Sequence, residues 1–276
     1  MLIEAFGHTD VGRRREGNED NYLCLDLSSR EALLPRPLFL LAVADGVGGH
    51  AGGAAASGLA VETLQDAVLG RLKEPGPGGP DLAKLLAEAF AAANARIFAA
   101  AAADSSLAGM GTTLVAALVA DDRTTIANVG DSRAYLIREK ELRQVTLDHS
   151  WAAEQARLNV LTEDEIRCSP FKSMITRSLG FAESVAADTF EIVLLPGDYL
   201  LLCTDGLSGA VPGPELLKIV RRRKSPEKIC RRMIERANHY GGRDNITQVV
   251  ASVRDDGRRP PLLTTDTVRI RRAVSG

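Results

Sequence analysis

Residues 38 to 53 read LFLLAVADGVGGHAGG, and this stretch decides how the rest of the sequence is interpreted. Leu38 to Ala44 form a short uninterrupted apolar run, which is typical of a β-strand buried on both faces. The run ends at Asp45, and an alanine-rich segment with helical periodicity follows it. A Pro/Gly-rich break at residues 75 to 80 then leads to a second helical segment, Leu82 to about Ala103, where a parallel βαβ unit would place a strand.

The second half of the sequence contains a cluster of strand patterns and then another pair of helices. Three apolar runs after Gly111 predict a meander, and two more on either side of Pro196-Gly197 predict a hairpin. Helical periodicity returns at residues 150 to 168, 213 to 223 and 225 to 239, before a last strand at Ile246 to Val253. Clustered strands and paired helices indicate an α+β fold, with packed antiparallel sheets covered by helix pairs.

Composition limits the classes of function. The chain has 276 residues, of which 45% are hydrophobic, so it can bury a large core as one domain or at most two. Its 34 Lys and Arg against 36 Asp and Glu give a net charge of -2, so we expect neither nucleic-acid nor membrane binding. Four scattered cysteines, no basic leader and no predicted membrane span together predict a cytoplasmic location.

Four short acidic motifs recur, each read as following a strand-like segment: Asn18-Glu19-Asp20, Asp45-Gly46, Asp205-Gly206 and Asp244-Asn245. A fold that gathers them would collect several carboxylates. Such groups repel one another unless cations lie between them, and oxygen ligands of this kind favour hard divalent metals. The motifs therefore predict a hydrolase that uses two metal ions.

Two phosphate-binding patterns offer alternatives to the metal interpretation. Gly46 to Ala51 fits the dinucleotide-binding pattern GxGxxA, but Asp45 would place a negative charge beside a pyrophosphate and no second βαβ strand follows. Cys24 and Arg30 have the CxxxxxR spacing of a thiolate phosphatase, but the residues between them include no glycine and an unfavourable Asp26. Both alternatives are weaker than the metal interpretation.

The Asp-Gly pairs also have an ordinary structural explanation, since Asp-Gly is a common hairpin turn. Taken alone, Asp45-Gly46 or Asp205-Gly206 would be assigned to a turn more often than to a metal site. No strand was expected directly after either pair, and two further acidic motifs share the predicted setting. The combination favours metal binding.

The ordered motifs resemble those of the metal-dependent serine/threonine protein phosphatases of the protein phosphatase 2C type, in a bacterial-looking form. The resemblance spans about residues 5 to 253 and rests on RxxNED, ADGVGGH, GMGTT, NVGDSRAY, TDGL and GGRDNIT. It implies a four-layer α-β-β-α sandwich with two central antiparallel sheets flanked by helix pairs. It also implies a catalytic domain at residues 1–254, followed by a C-terminal tail at 255–276.

The resemblance assigns metal ligands residue by residue. Asp45 matches the carboxylate that bridges two Mn²⁺ or Mg²⁺ ions, Gly46 matches a backbone-carbonyl ligand, and Glu19 matches a further contact to the same ion, mostly through water. Asp205 and Asp244 match the ligands of the second core ion.

Four more positions take implied roles. Asp131, together with Asp205, matches a weaker third metal site, and Arg15 matches the residue that binds the substrate phosphate. Asp20 and Asn245 match groups that orient waters and ligands. The implied reaction is direct attack on phosphorus by a metal-bridging hydroxide, without a covalent intermediate.

The sequence departs from part of the family at the acid and at the substrate-facing segment. Val47 stands where some members have a histidine after Asp-Gly, so metal-bound water is the preferred proton donor. Asn159 replaces a usual glycine, and Lys172-Ser173-Met174 replaces a more common run, so substrate choice is expected to differ.

The implied partners are phosphorylated proteins and a cognate serine/threonine kinase, and the chain is expected to be a monomer. The alternative is a non-catalytic regulator that binds a phosphorylated partner, which would predict a lost ligand. The matching acidic positions 19, 45, 131, 205 and 244 are all intact.

Overall fold

The computed structural model describes residues 1–28, 37–73, 81–159, 161–171, 173–222, 225–257 and 268–272. Its strands are β1 (Leu2–Asp10), β2 (Asn21–Asp26), β3 (Leu38–Ala44), β4 (Gly46–Val47), β5 (Gly111–Thr112), β6 (Leu114–Ala120), β7 (Arg123–Val129), β8 (Arg133–Arg138), β9 (Glu141–Gln144), β10 (Asp188–Val193), β11 (Tyr199–Cys203), β12 (Ile246–Arg254) and β13 (Val268–Arg272). Its helices are α1 (His50–Lys73), α2 (Leu82–Ala103), α3 (Trp151–Leu158), α4 (Glu163–Cys168), α5 (Asp205–Ser208), α6 (Gly213–Val220) and α7 (Pro226–His239).

Two antiparallel sheets form the centre of the molecule. Sheet A has the strand order β1-β12-β11-β8-β9, and sheet B has the order β13-β10-β7-β6-β3-β2. Helices α1 and α2 pack on the outer face of sheet B, whereas α6 and α7 pack on the outer face of sheet A. This is the predicted four-layer sandwich.

Strand β3 shows that sheet B is covered on both of its faces. In β3, Phe39, Leu41 and Val43 pack in the apolar cluster between the two sheets. The intervening residues Leu40 and Ala42 pack in the cluster under α1 and α2. Alternate side chains of a strand point to opposite faces, so an unbroken apolar run is what a strand in this position requires.

Helix α2 is long and apolar enough, by length and composition alone, to cross a membrane. The expectation that no segment reaches the length of a membrane span is therefore wrong for this helix. The helix instead buries one face in the core, including Leu86, Phe90 and Ile97. Its high alanine content raises its mean hydropathy without making it hydrophobic enough on every side to need lipid.

The predicted meander is wrong after its second strand. Strands β6 and β7 pair in sheet B, but β8 crosses to sheet A and pairs with β11. The crossing occurs at Gly130, whose φ of +106° is a backbone conformation that glycine adopts readily. The turn at Gly130-Asp131 therefore connects the two sheets instead of closing a hairpin.

The predicted hairpin around Pro196-Gly197 is also wrong. Strand β10 pairs with β7 in sheet B, and β11 pairs with β8 and β12 in sheet A. Buried Asp198 holds the connection, because its carboxylate accepts hydrogen bonds from Leu195 N at 2.7 Å and from the guanidinium of Arg138. The turn is thus a corner between sheets.

Two other segments differ in detail from the prediction. The helical segment at 150 to 168 is divided into α3 and α4 by Asn159, which has left-handed backbone angles. Asparagine tolerates this conformation better than most residues, which accounts for its use where the family commonly has glycine. Part of the predicted tail, Val268–Arg272, forms an edge strand on β10.

The four acidic motifs meet at one edge of the sandwich. Asp45 lies between β3 and the two-residue strand β4, which corrects the expectation that no strand directly follows Asp45-Gly46, and Asp205 follows the end of β11. The other two motifs precede β2 and β12, which corrects the expectation that all four follow strands. Because β2 is antiparallel to β3 and β12 is antiparallel to β11, the starts of the former lie beside the ends of the latter.

Candidate active site

The threonines of the GMGTT motif hold the turn that carries Asp45. The Asp45 backbone N–H donates to Thr113 Oγ1 at 3.0 Å, and the Asp45 carbonyl accepts from Thr113 N at 2.9 Å and Thr112 Oγ1 at 2.8 Å. Thr113 Oγ1 also lies 2.7 Å from Ser132 Oγ, beside Asp131. One buried threonine therefore joins the turns that bear two predicted metal ligands.

Glycines allow the chain to pass closely around Glu19. A Cβ on Gly53, in the first turns of α1, would collide with Glu19 Oε2. A Cβ on Gly46 would collide with the backbone of Gly53 and with the Glu19 carbonyl oxygen. Ser57 Oγ donates to that same carbonyl oxygen. The close approach of Gly46 and Gly53 to Glu19 thus explains two glycines of the GVGGHAGG stretch without a dinucleotide.

Asn245 and Asp20 fasten the loop after β1 to the two sheets. Asn245 Nδ2 donates to Val11 O at 3.0 Å and Gly17 O at 2.9 Å, while its Oδ1 accepts from Glu19 N at 2.9 Å. Asp20 accepts a hydrogen bond from Thr204 Oγ1 at 2.9 Å. Their predicted role in orienting waters and ligands stays a prediction, but their contacts hold Glu19 in place.

The carboxyl groups at this edge influence one another strongly. Burial, followed by the charge of Asp20 and Asp205, raises the pKa of Asp45 well above its ordinary range. Burial raises the pKa of Asp20 to about 7, and burial together with Asp205 raises the pKa of Asp131 to about 7. These shifts show that the predicted acidic residues lie within electrostatic reach of one another.

Arg15 lies at the rim of this cluster. Its Nη2 donates to Asp244 Oδ2 at 2.8 Å, and 52% of its side chain is exposed. Hydrogen bonding to Asp244, helped by the charges of Glu19 and Asp45, raises the pKa of Arg15. The structure therefore brings the predicted phosphate-binding residue to the predicted metal ligands, with an open side facing solvent.

Two functional-site residues escaped the sequence analysis. Arg133 donates to Asp148 through Nε at 3.0 Å and Nη2 at 2.7 Å, and its charge partly offsets the rise that burial causes in the pKa of Asp131 and Asp205. Thr113 was quoted only as part of a motif. In the sequence, Arg133 could have been recognised by its position two residues after Asp131, and Thr113 by its position directly before β6.

The donor set suits a hard divalent cation, because it consists of carboxylate and backbone oxygens that repel one another when charged. As they stand, no three His, Cys, Asp or Glu side chains within the described residues are arranged so that they could hold a metal ion. The Asp244 carboxylate is engaged by Arg15. An ion bound through Asp244 Oδ2 would therefore compete with Arg15 for that oxygen.

A cavity of about 990 Å³ lies at the other end of sheet A, away from these carboxylates. Its lining includes Arg138, which ends β8, and Tyr199, which begins β11. Asp131 precedes the start of β8, and Asp205 follows the end of β11, so the cavity and the acidic edge are separated by the length of the strands.

Comparison with known proteins decides the family. The sequence profile of the family described as Protein phosphatase 2C matches residues 4–246. The chain belongs to the protein phosphatase 2C family. It is 38% identical over 247 residues to the serine/threonine phosphatase stp of Listeria welshimeri, covering 89% of this chain and 94% of that protein.

Solved structures agree with the family. The serine/threonine phosphatase from S. agalactiae aligns with a TM-score of 0.81 at 30% identity, covering 91% of this chain and all of that one. The catalytic domain of the phosphatase PstP, in complex with two manganese ions, aligns with a TM-score of 0.77 at 33% identity, covering 92% of this chain and 99% of that one. The predicted resemblance, fold class and enzyme class, a protein phosphatase, are confirmed.

Proposed function

We propose that this protein phosphatase 2C member hydrolyses phosphoserine and phosphothreonine on proteins with the help of Mn²⁺ or Mg²⁺. The observation that carries the proposal is the convergence of Asp45, Asp131, Asp205 and Asp244 at one edge of the sandwich, where burial and neighbouring carboxylates raise the pKa of Asp45, Asp131 and Asp205. A protein that only bound phosphorylated partners would have no need to keep such a costly cluster of carboxylates. The non-catalytic alternative therefore has no supporting feature.

The residues divide the cations between three positions. In this proposal Asp45 and Gly46, with Glu19 mostly through water, hold one core ion, and Asp45, Asp205 and Asp244 hold the other. Asp131 and Asp205 hold a weaker third ion. Such ions, when bound, supply activated water and neutralise charge on the phosphate oxygens.

The protein's own groups then position the substrate. Arg15 is exposed, and its planar guanidinium can bind two phosphate oxygens at once after it leaves Asp244. Asp20 and Asn245 keep Glu19 and the loop after β1 fixed through buried hydrogen bonds. Val47 has no titratable group, so in this proposal the leaving serine or threonine oxygen takes its proton from water.

The cellular setting is part of the same proposal. A phosphatase for phosphorylated proteins opposes a serine/threonine kinase, which we take as its cognate partner. We place the protein in the cytoplasm and expect it to act as a monomer, since the acidic edge is formed within one chain.

The test is hydrolysis of a phosphothreonine and phosphoserine peptide panel by the purified protein with Mn²⁺, with Mg²⁺ and with excess chelator. We expect turnover with either ion and none after chelation. Full turnover after exhaustive chelation would contradict the proposal, as would binding of the peptides without phosphate release at any metal concentration.

A further inference from the structure

His149 is buried, with 1% of its surface exposed, and both of its ring nitrogens are engaged. The backbone N–H of Gly130 donates to His149 Nδ1 at 3.0 Å, and His149 Nε2 lies 3.2 Å from Asp188 Oδ2. A ring nitrogen that accepts a hydrogen bond carries no proton, so the proton of the neutral ring resides on Nε2 and is donated to Asp188. The imidazole thus has one orientation and one tautomer.

Asp188, which accepts the hydrogen bond from His149 Nε2, is itself held in place by a second partner. Its other carboxylate oxygen accepts from Arg177 Nη1 at 2.9 Å, and Arg177 also donates to Ala186 O at 3.2 Å. The hydrogen bond from His149 is the largest cause that lowers the pKa of Asp188, to about 2, and Arg177 adds to it. Asp188 is therefore a charged anchor for the ring.

The other end of the ring holds the turn before Asp131. Besides the bond to Nδ1, Gly130 receives the backbone N–H of His149 on its carbonyl oxygen at 2.9 Å. Asn128 Nδ2 donates to the same carbonyl oxygen at 3.2 Å. Gly130 is therefore held through both its N–H and its carbonyl oxygen, which fixes the turn that leads into Asp131.

His149 lies directly before the segment Ser150–Thr176, which we call the flap segment, and it also contacts the last residue of that segment. The chain enters it at Ser150, and it returns at Thr176, whose N–H donates to His149 O at 2.9 Å. Ser150 forms an isolated antiparallel bridge with Ile175, and Trp151 N donates to Met174 O at 2.9 Å. Backbone contacts of His149, Ser150 and Trp151 thus join the beginning of the flap segment to its end.

We propose that His149 is a positioning residue that couples the flap segment to the Asp131 turn, so that the placement of one depends on the placement of the other. The inference rests on the proposed function only in taking Asp131 as a cation ligand. Groups one step removed from a metal ligand commonly set its orientation, and their loss commonly weakens metal binding by 10- to 100-fold.

Side-chain replacements separate the two ends of the ring. His149→Leu removes both hydrogen bonds while keeping an apolar side chain, and His149→Asn keeps an acceptor near the position of Nδ1 for the Gly130 N–H. Asp188→Asn leaves the imidazole in place but removes the charged anchor. Ile229→Ala, in the cluster between sheet A and α7, is a control that destabilises the fold far from the flap segment.

The readout is fluorescence of Trp151, the single tryptophan, which lies in the flap segment 6.0 Å from the Phe171 ring. We expect Mn²⁺ to change its emission in the wild-type protein. His149→Leu should raise the Mn²⁺ concentration at half-maximal response by roughly tenfold, and His149→Asn should recover most of that loss. Asp188→Asn should lie between the two, and Ile229→Ala should match wild type despite a lower Tm.

Several results would overturn the inference. A wild-type response in both His149→Leu and Asp188→Asn would remove the coupling, and an equal loss in Ile229→Ala would reduce His149 to ordinary core packing. If His149→Leu does not fold, His149→Asn and Asp188→Asn decide by the same comparison. Failure of peptide hydrolysis with an intact Mn²⁺-dependent Trp151 response would count against the proposed function alone.

Discussion

Arg15 is the residue whose position most directly links the site to its substrate. Its ion pair with Asp244 is exposed on both sides, with 52% and 38% of the two side chains accessible. Exposed pairs of this kind contribute about 0–1 kcal/mol, so the guanidinium can leave Asp244 at small cost. The residue can therefore serve a phosphate without being built into the fold.

We expect Arg15→Ala to raise KM for every phosphopeptide by roughly tenfold, with a smaller fall in kcat, because a clamp used equally in the ground and transition states acts on binding. Arg15→Lys should recover part of the loss, since an ammonium lacks the planar fork. Arg14→Ala, an exposed neighbour, is the control. Identical kinetics for Arg14→Ala and Arg15→Ala would defeat the clamp.

The carboxylates should differ in what their loss does. Asp45→Asn and Asp205→Asn should each reduce turnover by several orders of magnitude, because each is assigned to the core ions. Asp131→Ala should lower kcat while two Mn²⁺ ions per chain remain bound, as measured by calorimetry. Asp66→Asn, exposed on α1, controls for charge. Loss of core-ion binding in Asp131→Ala would contradict the assignment.

Cys24 tests the rejected thiolate mechanism. Burial, together with Asp26, raises the pKa of its thiol to about 11, so the thiolate is scarce at neutral pH. Cys24→Ser should therefore leave kcat/KM within about twofold of wild type in the peptide assay. A loss of 100-fold or more would restore the cysteine to the mechanism.

At the scale of elements, the sequence predicted which segments are strands and helices better than which strands are neighbours. Strands β7 and β8 are both buried along most of their length, and each mixes apolar with polar residues, so neither carries an alternation that assigns it to one sheet. The corner at Gly130 and the corner at Asp198 depend on contacts with distant residues. Short separation along the chain was therefore misread as pairing.

The site was predicted in the same uneven way. Carboxylates such as Asp45 and Asp244 stand out because motif order brings them together in a known family. The contacts that support these carboxylates could not be predicted in this way. The hydrogen bonds between Thr113 and Ser132 and from Gly130 to His149 join residue types that occur in many other settings.

The start of α1 offers a matched pair of glycines. Gly53→Ala should strongly reduce Mn²⁺-dependent turnover, because its Cβ would displace Glu19. Gly58→Ala, one and a half turns further along the helix, meets only Asn21 Nδ2 at 3.9 Å and should raise stability by up to about 1 kcal/mol. Thermal unfolding and peptide hydrolysis check both. Comparable activity in the two variants would show that the approach to Glu19 is not needed.

For the whole molecule, the raised carboxyl pKa values predict how pH and metal act together. Asp20 and Asp131 have a pKa of about 7 against an ordinary 3.8, so between these values the folded metal-free protein holds more protons than the unfolded chain. Their contribution to stability is therefore present at low pH and is lost as pH rises toward 7 and above.

Because a cation must displace those protons, Mn²⁺ should raise Tm more at pH 8 than at pH 6. The measurement is thermal unfolding at both pH values with Mn²⁺ and with chelator. The Asp131→Ala variant should show a smaller difference between the two pH values. An equal rise in Tm at pH 6 and pH 8 in the wild-type protein would contradict the proposed titration of these groups.

The pairing of β1 with β12 has a consequence for how the protein is made. Leu2 lies opposite Arg254, and Asp10 lies opposite Ile246, so β1 is translated long before the strand with which it pairs. Sheet B can begin earlier, since β2, β3, β6 and β7 are all complete by Val129. During translation the nascent chain therefore exposes the inner face of sheet B until sheet A closes over it, and chaperone binding in that interval is expected to fall on Phe39, Leu41 and Val43.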